Sequence, residues 1–260
     1  MLRRGISTLK SSWTVVRGWR LHARVHTHSG ERGQIPVVLI HGLLISSRYM
    51  VPTAQRLAAH YSVYALDLPG FGKSEGPQRV LTIAELADAV VAWMDVMQLP
   101  RAILLGNSLG CQVLINLAAR YPRRVERLIL TGPTVDPAAR TVIQQASRLL
   151  FDFVLEKPSL LYHLVIDAYA AGIRRTWQTF QYALYETSER QLCSIPAPTL
   201  VIRGARDLIA TQQWVEEMVR LLPDSQLQVI PKGPHCVNYS TPKALVALVQ
   251  TFLRTPLYTR

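Results

Sequence analysis

A serine lies between two glycines in the segment Gly106-Asn107-Ser108-Leu109-Gly110. The apolar run Arg101 to Leu105 precedes this segment, and Cys111 to Ala119 follows it with the periodicity of a helix. We therefore expect a strand that turns sharply into a helix, with the serine at the turn, where its hydroxyl is exposed for nucleophilic attack. Small residues are needed on both sides because the turn is strained and the helix packs closely on the strand.

A serine hydroxyl is a weak nucleophile near neutral pH and needs a base to remove its proton. His235 is the best candidate, because it lies in a Gly- and Pro-rich loop directly after the last predicted strand. A rigid loop at the carboxyl end of a strand can hold an imidazole facing the serine. The other histidines lie early in the chain or in the long segment before the last two strands: His22, His26, His28, His41, His60 and His163.

The base in turn needs a carboxylate that fixes its tautomer and stabilises its protonated form. Asp207 fits this role because it lies in the turn Gly204-Ala205-Arg206-Asp207, which leaves the predicted strand Thr199 to Arg203. Asp136 is the competitor, since it comes shortly after the preceding strand, but it could equally cap a helix ahead of Pro137. The sequence favours Asp207.

Acyl transfer also requires main-chain donors at the position where the tetrahedral oxyanion forms. The amide of Leu109, next to the serine, is one expected donor. The other should come from the loop His41-Gly42-Leu43-Leu44 after another buried strand. We choose Leu43, with Leu44 as the alternative. We expect His41 to hold this loop by hydrogen bonds rather than to react.

Short apolar runs alternate with amphipathic stretches, which is typical of βα units wound on a mostly parallel sheet. The expected fold class is α/β, with eight strands flanked by helices. The first two strands are expected to form an antiparallel hairpin at the sheet edge, and the others to be buried on both faces. The predicted strands are Thr14 to Val16, Leu21 to His26, Pro36 to Ile40, Tyr61 to Leu66, Ala102 to Gly106, Leu128 to Thr131, Thr199 to Arg203 and Gln226 to Ile230. The predicted helices are Ser47 to His60, Leu81 to Met97, Leu109 to Tyr121, Gln212 to Leu222 and Pro242 to Leu253.

One stretch, residues 133–196, contains no predicted strand and is rich in helix formers and aromatic residues. An unstructured loop of that length would be improbable in a compact domain, so we expect a helical insertion. It would cover the sheet edge where ligands bind in open α/β folds. The sequence thus divides into a core, residues 1–132 and 197–260, and a helical cap, residues 133–196. Most of the cap's aromatic side chains are expected to pack inside the cap itself.

Composition narrows the classes of function. Hydrophobic residues make up 49% of the 260 residues and the net charge is +12. The arginines are dispersed without an interleaved aromatic-basic motif, so we expect no nucleic-acid partner. No apolar run is long enough to cross a membrane. The basic segment Met1 to Arg20 is expected to be a solvated, partly disordered lead-in, with attachment to a membrane surface as the alternative.

Three cysteines form neither an even disulfide framework nor a metal-ligand spacing. We therefore expect a reducing, cytoplasmic setting. Cys111 should fill an apolar gap in the helix after the serine. Cys236 follows the candidate base but is expected to have no direct chemical role, and Cys193 is given none.

Taken together, several segments resemble the α/β-hydrolase superfamily over nearly the whole chain. Its similar motifs are His41-Gly42 after a strand, Asp67 to Ser74, the turn around Ser108, Gly204 to Asp207 and Gly233-Pro234-His235. The resemblance implies a triad of Ser108, Asp207 and His235 and a helical cap after the sixth strand. It assigns no chemistry to Asp67 or Ser74, which belong to a structural turn.

The segments Gly106 to Gly110 and Leu128 to Pro133 resemble hydrolases that cleave carbon-carbon bonds in aromatic ring-fission products. However, the Gly/Pro-rich oxyanion loop of those enzymes is replaced here by Leu43 to Ser47. Cys236 stands where they commonly have an aromatic residue. These departures favour a different reaction, and the serine itself differs from the aspartate nucleophile of haloalkane dehalogenases and epoxide hydrolases.

We therefore expect a carboxylesterase-like serine hydrolase that needs no cofactor or metal and acts on a small to medium, largely apolar ester. The alternatives are carbon-carbon bond hydrolysis, a slow-turnover ligand sensor, and acyl transfer to an alcohol or peroxide. Arg174 or Arg175 would bind a substrate carboxylate if either pointed inward, although exposed arginines are commoner in such a cap. The expected partner is a small-molecule ester, with the chain a monomer or homodimer.

Overall fold

A computed structural model describes residues 7–28 and 34–256. Its centre is an eight-stranded sheet with the strand order β1-β2-β4-β3-β5-β6-β7-β8. Strands β3 to β8 run parallel, whereas β2 pairs antiparallel with both β1 and β4. This architecture confirms the expected α/β fold class. The strands are β1 Lys10–Val16, β2 Trp19–His26, β3 Val37–Ile40, β4 Val63–Leu66, β5 Ala102–Asn107, β6 Val125–Thr131, β7 Thr199–Gly204 and β8 Ser225–Ile230.

The first two strands form the expected hairpin at one edge of the sheet. Its two-residue turn holds Arg17 and Gly18 at φ values of 51° and 85°, the positive values that a tight hairpin turn requires. The expectation of a partly disordered lead-in is therefore wrong for residues 10–20, whose alternating side chains suit an edge hairpin, and residues 1–6 lie outside the described part.

The opposite edge of the sheet corrects a second expectation. β8 was expected to be buried on both faces, but Gln226, Gln228 and Val229 are exposed. Among the described residues β8 pairs only with β7, so one side of it faces away from the sheet. The central strands β3 to β7 are buried almost throughout, as expected.

Helices cover both faces of the sheet. α2 begins with a capping box, in which Thr82 and Glu85 satisfy each other's main-chain amides. The predicted helix Ser47 to His60 is instead a 3-10 turn, Ser47–Met50, followed by α1, because Pro52 favours a fresh first turn. The helices are α1 Val51–Leu57, α2 Ile83–Val96, α3 Leu109–Arg120, α4 Val142–Leu155, α5 Pro158–Ala171, α6 Ile173–Tyr185, α7 Gln212–Leu221, α8 Val237–Ser240 and α9 Pro242–Arg254. Within the described residues, no helix has the length and apolar content to cross a membrane.

The insertion, residues 133–196, contains α4, α5 and α6 between β6 and β7. The expectation that its aromatic side chains mostly pack inside it is wrong. Phe153 and Phe180 line a cavity beneath the insertion. The other six are exposed by 36% or more: Phe151, Tyr162, Tyr169, Trp177, Tyr182 and Tyr185. Three helices joined by short turns offer too little interior to bury them all.

Asp67 holds the turn after β4 together. Its buried carboxylate accepts hydrogen bonds from the amides of Ser47 at 2.6 Å and Lys73 at 3.0 Å, and its Oδ2 lies 2.7 Å from His22 Nδ1. Burial alone would raise the pKa of this carboxyl, but the hydrogen bond from His22 and those from the two amides hold the pKa at about 2. Asp67 is thus structural.

Replacing Asp67 with alanine is expected to lower the free energy of unfolding by about 3–5 kcal/mol, because buried donors lose their acceptor. Urea denaturation at pH 7 measures this loss. Because the pKa of Asp67 is lower in the folded protein, its stabilisation is complete above about pH 4 and disappears toward pH 2. Asp95→Ala, at an exposed carboxylate, should cost less than about 1 kcal/mol. Equal losses from the two variants would contradict this account.

Candidate active site

Four loops meet at the carboxyl edge of the parallel strands. Ser108 follows β5, Leu43 follows β3, Asp207 follows β7 and His235 follows β8. Parallel strands place their carboxyl ends at one edge of a sheet, which is why residues distant along the chain converge there. The structure thus brings all the candidate site residues, including Leu109 at the start of α3, to one rim.

Ser108 occupies the expected sharp turn. Its φ of 55° and ψ of −123° are strained values for a residue with a side chain. The neighbouring glycines allow the close packing that holds this strain. A Cβ atom on Gly110 would lie 2.4 Å from the carbonyl oxygen of Ile40, and one on Gly106 would lie 2.8 Å from the backbone of Gly110.

His235 and Asp207 form a buried pair. The Nδ1 atom of His235 lies 2.9 Å from Oδ2 of Asp207. The other carboxylate oxygen of Asp207 accepts hydrogen bonds from the amides of Ile209 at 2.9 Å and Ala210 at 2.8 Å. These two amides fix the carboxylate, which in turn orients the ring. The remaining ring nitrogen, Nε2, is buried without a hydrogen-bond partner among the described residues, so it is free to exchange a proton.

The electrostatic surroundings favour the protonated form of His235. Burial alone would lower the pKa of this imidazole. The negative charge and hydrogen bond of Asp207, together with the charges of Asp152 and Glu156, more than offset burial and raise the pKa to about 9. Below that pH the ring is mostly protonated, so its capacity as a base increases with pH.

A cavity of about 770 Å³, counting its open mouth, joins these residues to the insertion. Ser108, His235, Leu43 and Leu109 line its floor, while the inner faces of α4, α5 and α6 form its roof. Most of its lining is apolar. Among the described residues, no lysine or arginine lines it, and its ionisable carboxyls are Asp152 and Glu156.

Asp152 and Glu156 were missed by sequence reasoning. Both are buried, and Glu156 accepts hydrogen bonds from the amide of Cys236 at 2.6 Å and from Ser240 Oγ at 2.7 Å. These bonds tie the end of α4 to the loop after His235. In contrast, Oδ1 of Asp152 has no partner within the described ranges, and burial raises the pKa of this carboxyl to about 7. Their i, i+4 spacing on an amphipathic helix was the available signal, but exposed carboxylates share it.

The loop after β3 is held by two further buried side chains. His41 accepts a hydrogen bond from the amide of Leu68 at 2.9 Å through Nε2 and contacts its neighbour's carbonyl at 2.8 Å through Nδ1, so it is structural, as expected. Asp167 of α5 accepts bonds from Ser46, at 3.0 Å from the amide and 2.6 Å from the hydroxyl. Between these anchors, Leu44 has a φ of 67°, which turns the loop sharply after Leu43.

Other residues singled out from sequence lie elsewhere. Asp136 accepts a bond from the amide of Ala138 and pairs with Arg148 at 3.1 Å, so it caps the turn before α4 rather than reaching His235. Arg174 is exposed, and Arg175 donates to the carbonyl of Pro77 at 2.8 Å, so neither faces the cavity.

The cysteines also have defined surroundings. Cys111 is buried in α3, where burial raises its pKa, and its thiol contacts the carbonyl of Thr131. Cys236 lines the cavity, but burial raises the pKa of its thiol well above the usual value. A thiol held in its neutral form is a poor nucleophile. Cys193 is exposed on the insertion.

Residues 37–248 match the sequence profile of the alpha/beta hydrolase family. The chain is 28% identical to a 2-hydroxy-6-oxononadienedioate/2-hydroxy-6-oxononatrienedioate hydrolase of Comamonas testosteroni, over 88% of this chain and 91% of that protein. It is 29% identical to a pimeloyl-[acyl-carrier protein] methyl ester esterase of Nitrosospira multiformis, over 84% and 94%. A solved structure described as a bacterial membrane phospholipase A superposes with a TM-score of 0.80 at 26% identity, covering 96% of this chain and 87% of that one.

Proposed function

Because the chain belongs to the alpha/beta hydrolase family, we propose that it is a serine hydrolase of small to medium, largely apolar carboxylic esters. The observation that carries this proposal is the buried His235–Asp207 pair, whose free Nε2 shares the cavity with Ser108. The apolar lining supports an apolar substrate.

The proposed reaction has two halves. Ser108 Oγ attacks the ester carbonyl while Nε2 of His235 takes its proton, and the oxyanion accepts hydrogen bonds from the amides of Leu43 and Leu109. The intermediate collapses as His235 returns the proton to the alcohol, which leaves an acyl-enzyme. Water, deprotonated by His235, then releases the acid and restores Ser108. Asp207 keeps the proton of neutral His235 on Nδ1, so that Nε2 is the acceptor.

The electrostatics of the cavity favour esters over ring-fission products. The relative from C. testosteroni acts, by its name, on a dicarboxylate. A buried carboxylate needs a cationic partner, yet Asp152 and Glu156 supply negative charge, no lysine or arginine lines this cavity among the described residues, and His235 is already paired with Asp207. The relative from N. multiformis is, by its name, an esterase, which supports ester hydrolysis.

We also propose that the insertion, residues 133–196, acts as the cap that encloses the substrate over a core of residues 1–132 and 197–260.

A panel of substrates tests this assignment. We expect steady turnover of short-chain p-nitrophenyl esters and at least about 100-fold lower kcat/KM for dicarboxylate ring-fission products, since burying each unpaired carboxylate costs several kcal/mol. A preference for the ring-fission products would overturn the ester assignment. Tight binding of an ester with negligible turnover would identify a ligand sensor instead. Adding a competing alcohol or peroxide shows whether water is the acceptor.

The charge of Asp152 should be visible in the pH dependence. We expect kcat/KM of the wild type to increase with pH as His235 loses its proton. The midpoint of this increase, the acid limb of the profile, should lie near pH 9. Asp152 has a pKa of about 7, so its carboxyl is ionised at the pH of this limb. Asp152→Asn removes this negative charge, so the limb should move to lower pH by about one unit.

Glu217→Gln is the matched control, because Glu217 is a half-exposed carboxylate paired with Arg220 on α7. It should leave the limb in place. A limb that stays unmoved in Asp152→Asn as well would contradict the proposed influence of this carboxyl on His235.

A further inference from the structure

The outer surface of the insertion is unusually apolar. Thirteen of the eighteen large hydrophobic side chains exposed in the described residues lie in α4, α5 and α6. Exposed apolar surface concentrated in one region marks an interaction site, whereas single exposed apolar residues need no explanation. The inner faces of the same helices, which line the cavity, are also largely apolar.

The exposed side chains follow helical spacing. On α4, Ile143, Phe151 and Val154 are spaced so that they share one face, and they are exposed by 81%, 64% and 83%. On α5, Val165 and Tyr169 share a face and are exposed by 70% and 89%. α4 and α5 thus each present one largely apolar face to the cavity and another apolar face to the outside.

The charges of these helices are sorted by sign. All three carboxylates between Val142 and Tyr185 are buried: Asp152, Glu156 and Asp167. The exposed charged residues in that range are Lys157 and Arg174. The exposed surface of α4, α5 and α6 therefore combines apolar side chains with positive charge and has no exposed carboxylate.

This distribution of charge indicates which kind of binding partner the surface fits. In a symmetric dimer the same face would meet itself, which would bring like charges together without a carboxylate to neutralise them. An anionic lipid surface supplies both an apolar layer for the side chains and negative head groups for Lys157 and Arg174. The net charge of +12 attracts the whole chain to the same surface.

We propose that the outer face of α4, α5 and α6 docks on the surface of an anionic phospholipid bilayer without crossing it. The docked helices then separate the bilayer from the cavity by a single layer of helix. This inference goes beyond the reaction at Ser108, and binding can be measured without any substrate.

Vesicle sedimentation with the full chain tests the proposal. The chain should sediment with vesicles of equimolar phosphatidylglycerol and phosphatidylcholine. It should bind pure phosphatidylcholine vesicles at least about tenfold more weakly, because each exposed cation contributes to the attraction to anionic lipid. The double variant Val154→Asp/Val165→Asp should lose at least about tenfold in binding to the anionic vesicles, since it places charges in the apolar layer.

Val15→Asp/Val96→Asp is the matched control, because it changes the charge equally at side chains exposed by 63% and 52% outside the insertion. This control should bind nearly as the wild type does. Thermal unfolding verifies that both variants are folded, and a misfolded double variant is replaced by Lys157→Glu/Arg174→Glu, for which the same loss is expected.

Two results would overturn the proposal. One is equal binding by the wild type and the folded insertion variants, which would assign any attraction to net charge alone. The other is a stable dimer in sedimentation velocity that the insertion variants dissociate, with no vesicle binding by the wild type.

Discussion

Replacing Ser108 with alanine is expected to lower kcat for a p-nitrophenyl ester by about 10⁶-fold, because removal of the nucleophile eliminates the acyl-enzyme route. KM should change little, since the apolar lining of the cavity is intact. Stopped-flow and steady-state assays measure the decrease in kcat, with the protein concentration determined by absorbance and not by active-site titration.

Ser147→Ala is the matched control, because Ser147 is exposed on α4 and its hydroxyl donates a hydrogen bond to the carbonyl of Gln144. It should retain full activity. A Ser108→Ala variant that keeps more than about one hundredth of the wild-type kcat would exclude Ser108 as the nucleophile.

Replacing Asp207 with asparagine is expected to lower kcat by about 10⁴-fold. The amides of Ile209 and Ala210 bond to one carboxylate oxygen, so they should hold the carbonyl of the new side chain. Its NH₂ group would then face Nδ1 of His235. That arrangement places the ring proton on Nε2, where it prevents the transfer of the proton from Ser108.

The same substitution should lower the pKa of His235, because the negative charge of Asp207 and its hydrogen bond help to raise it. The acid limb of the pH profile therefore moves to lower pH even as kcat falls. Asp224→Asn, at an exposed position before β8, should change neither quantity. A tenfold loss or less in Asp207→Asn, from a folded variant, would contradict the role of this carboxylate.

The fold could be predicted where one physical requirement dominates. Central strands buried on both faces must be continuously apolar, and the close approach at Gly106 and Gly110 allows only glycine. These features identify the α/β architecture and the turn at Ser108. The observed ends of helices and strands differ from the predicted ends by a few residues, as in α1, because local hydrogen bonding and Pro52 determine where an element begins.

The site above the sheet was less predictable. Helical periodicity shows that α4 is amphipathic, but both of its faces carry apolar residues, so the sequence does not reveal which face turns inward. Asp152, Glu156 and Asp167 are buried only because the faces of α4 and α5 that carry them turn inward. For the same reason the exposed aromatic side chains of the insertion were expected in its interior. The loop contacts of Asp136 and Arg175 likewise depend on tertiary packing.

Covalent labelling tests the central claim most directly. The chain is incubated with a fluorophosphonate, digested with trypsin and mapped by mass spectrometry. The account predicts one adduct per chain, on the tryptic peptide Ala102 to Arg120, whose single serine is Ser108, and much slower labelling of His235→Ala. An unlabelled wild-type chain that hydrolyses esters, or an adduct on a different residue such as Cys236, would contradict it.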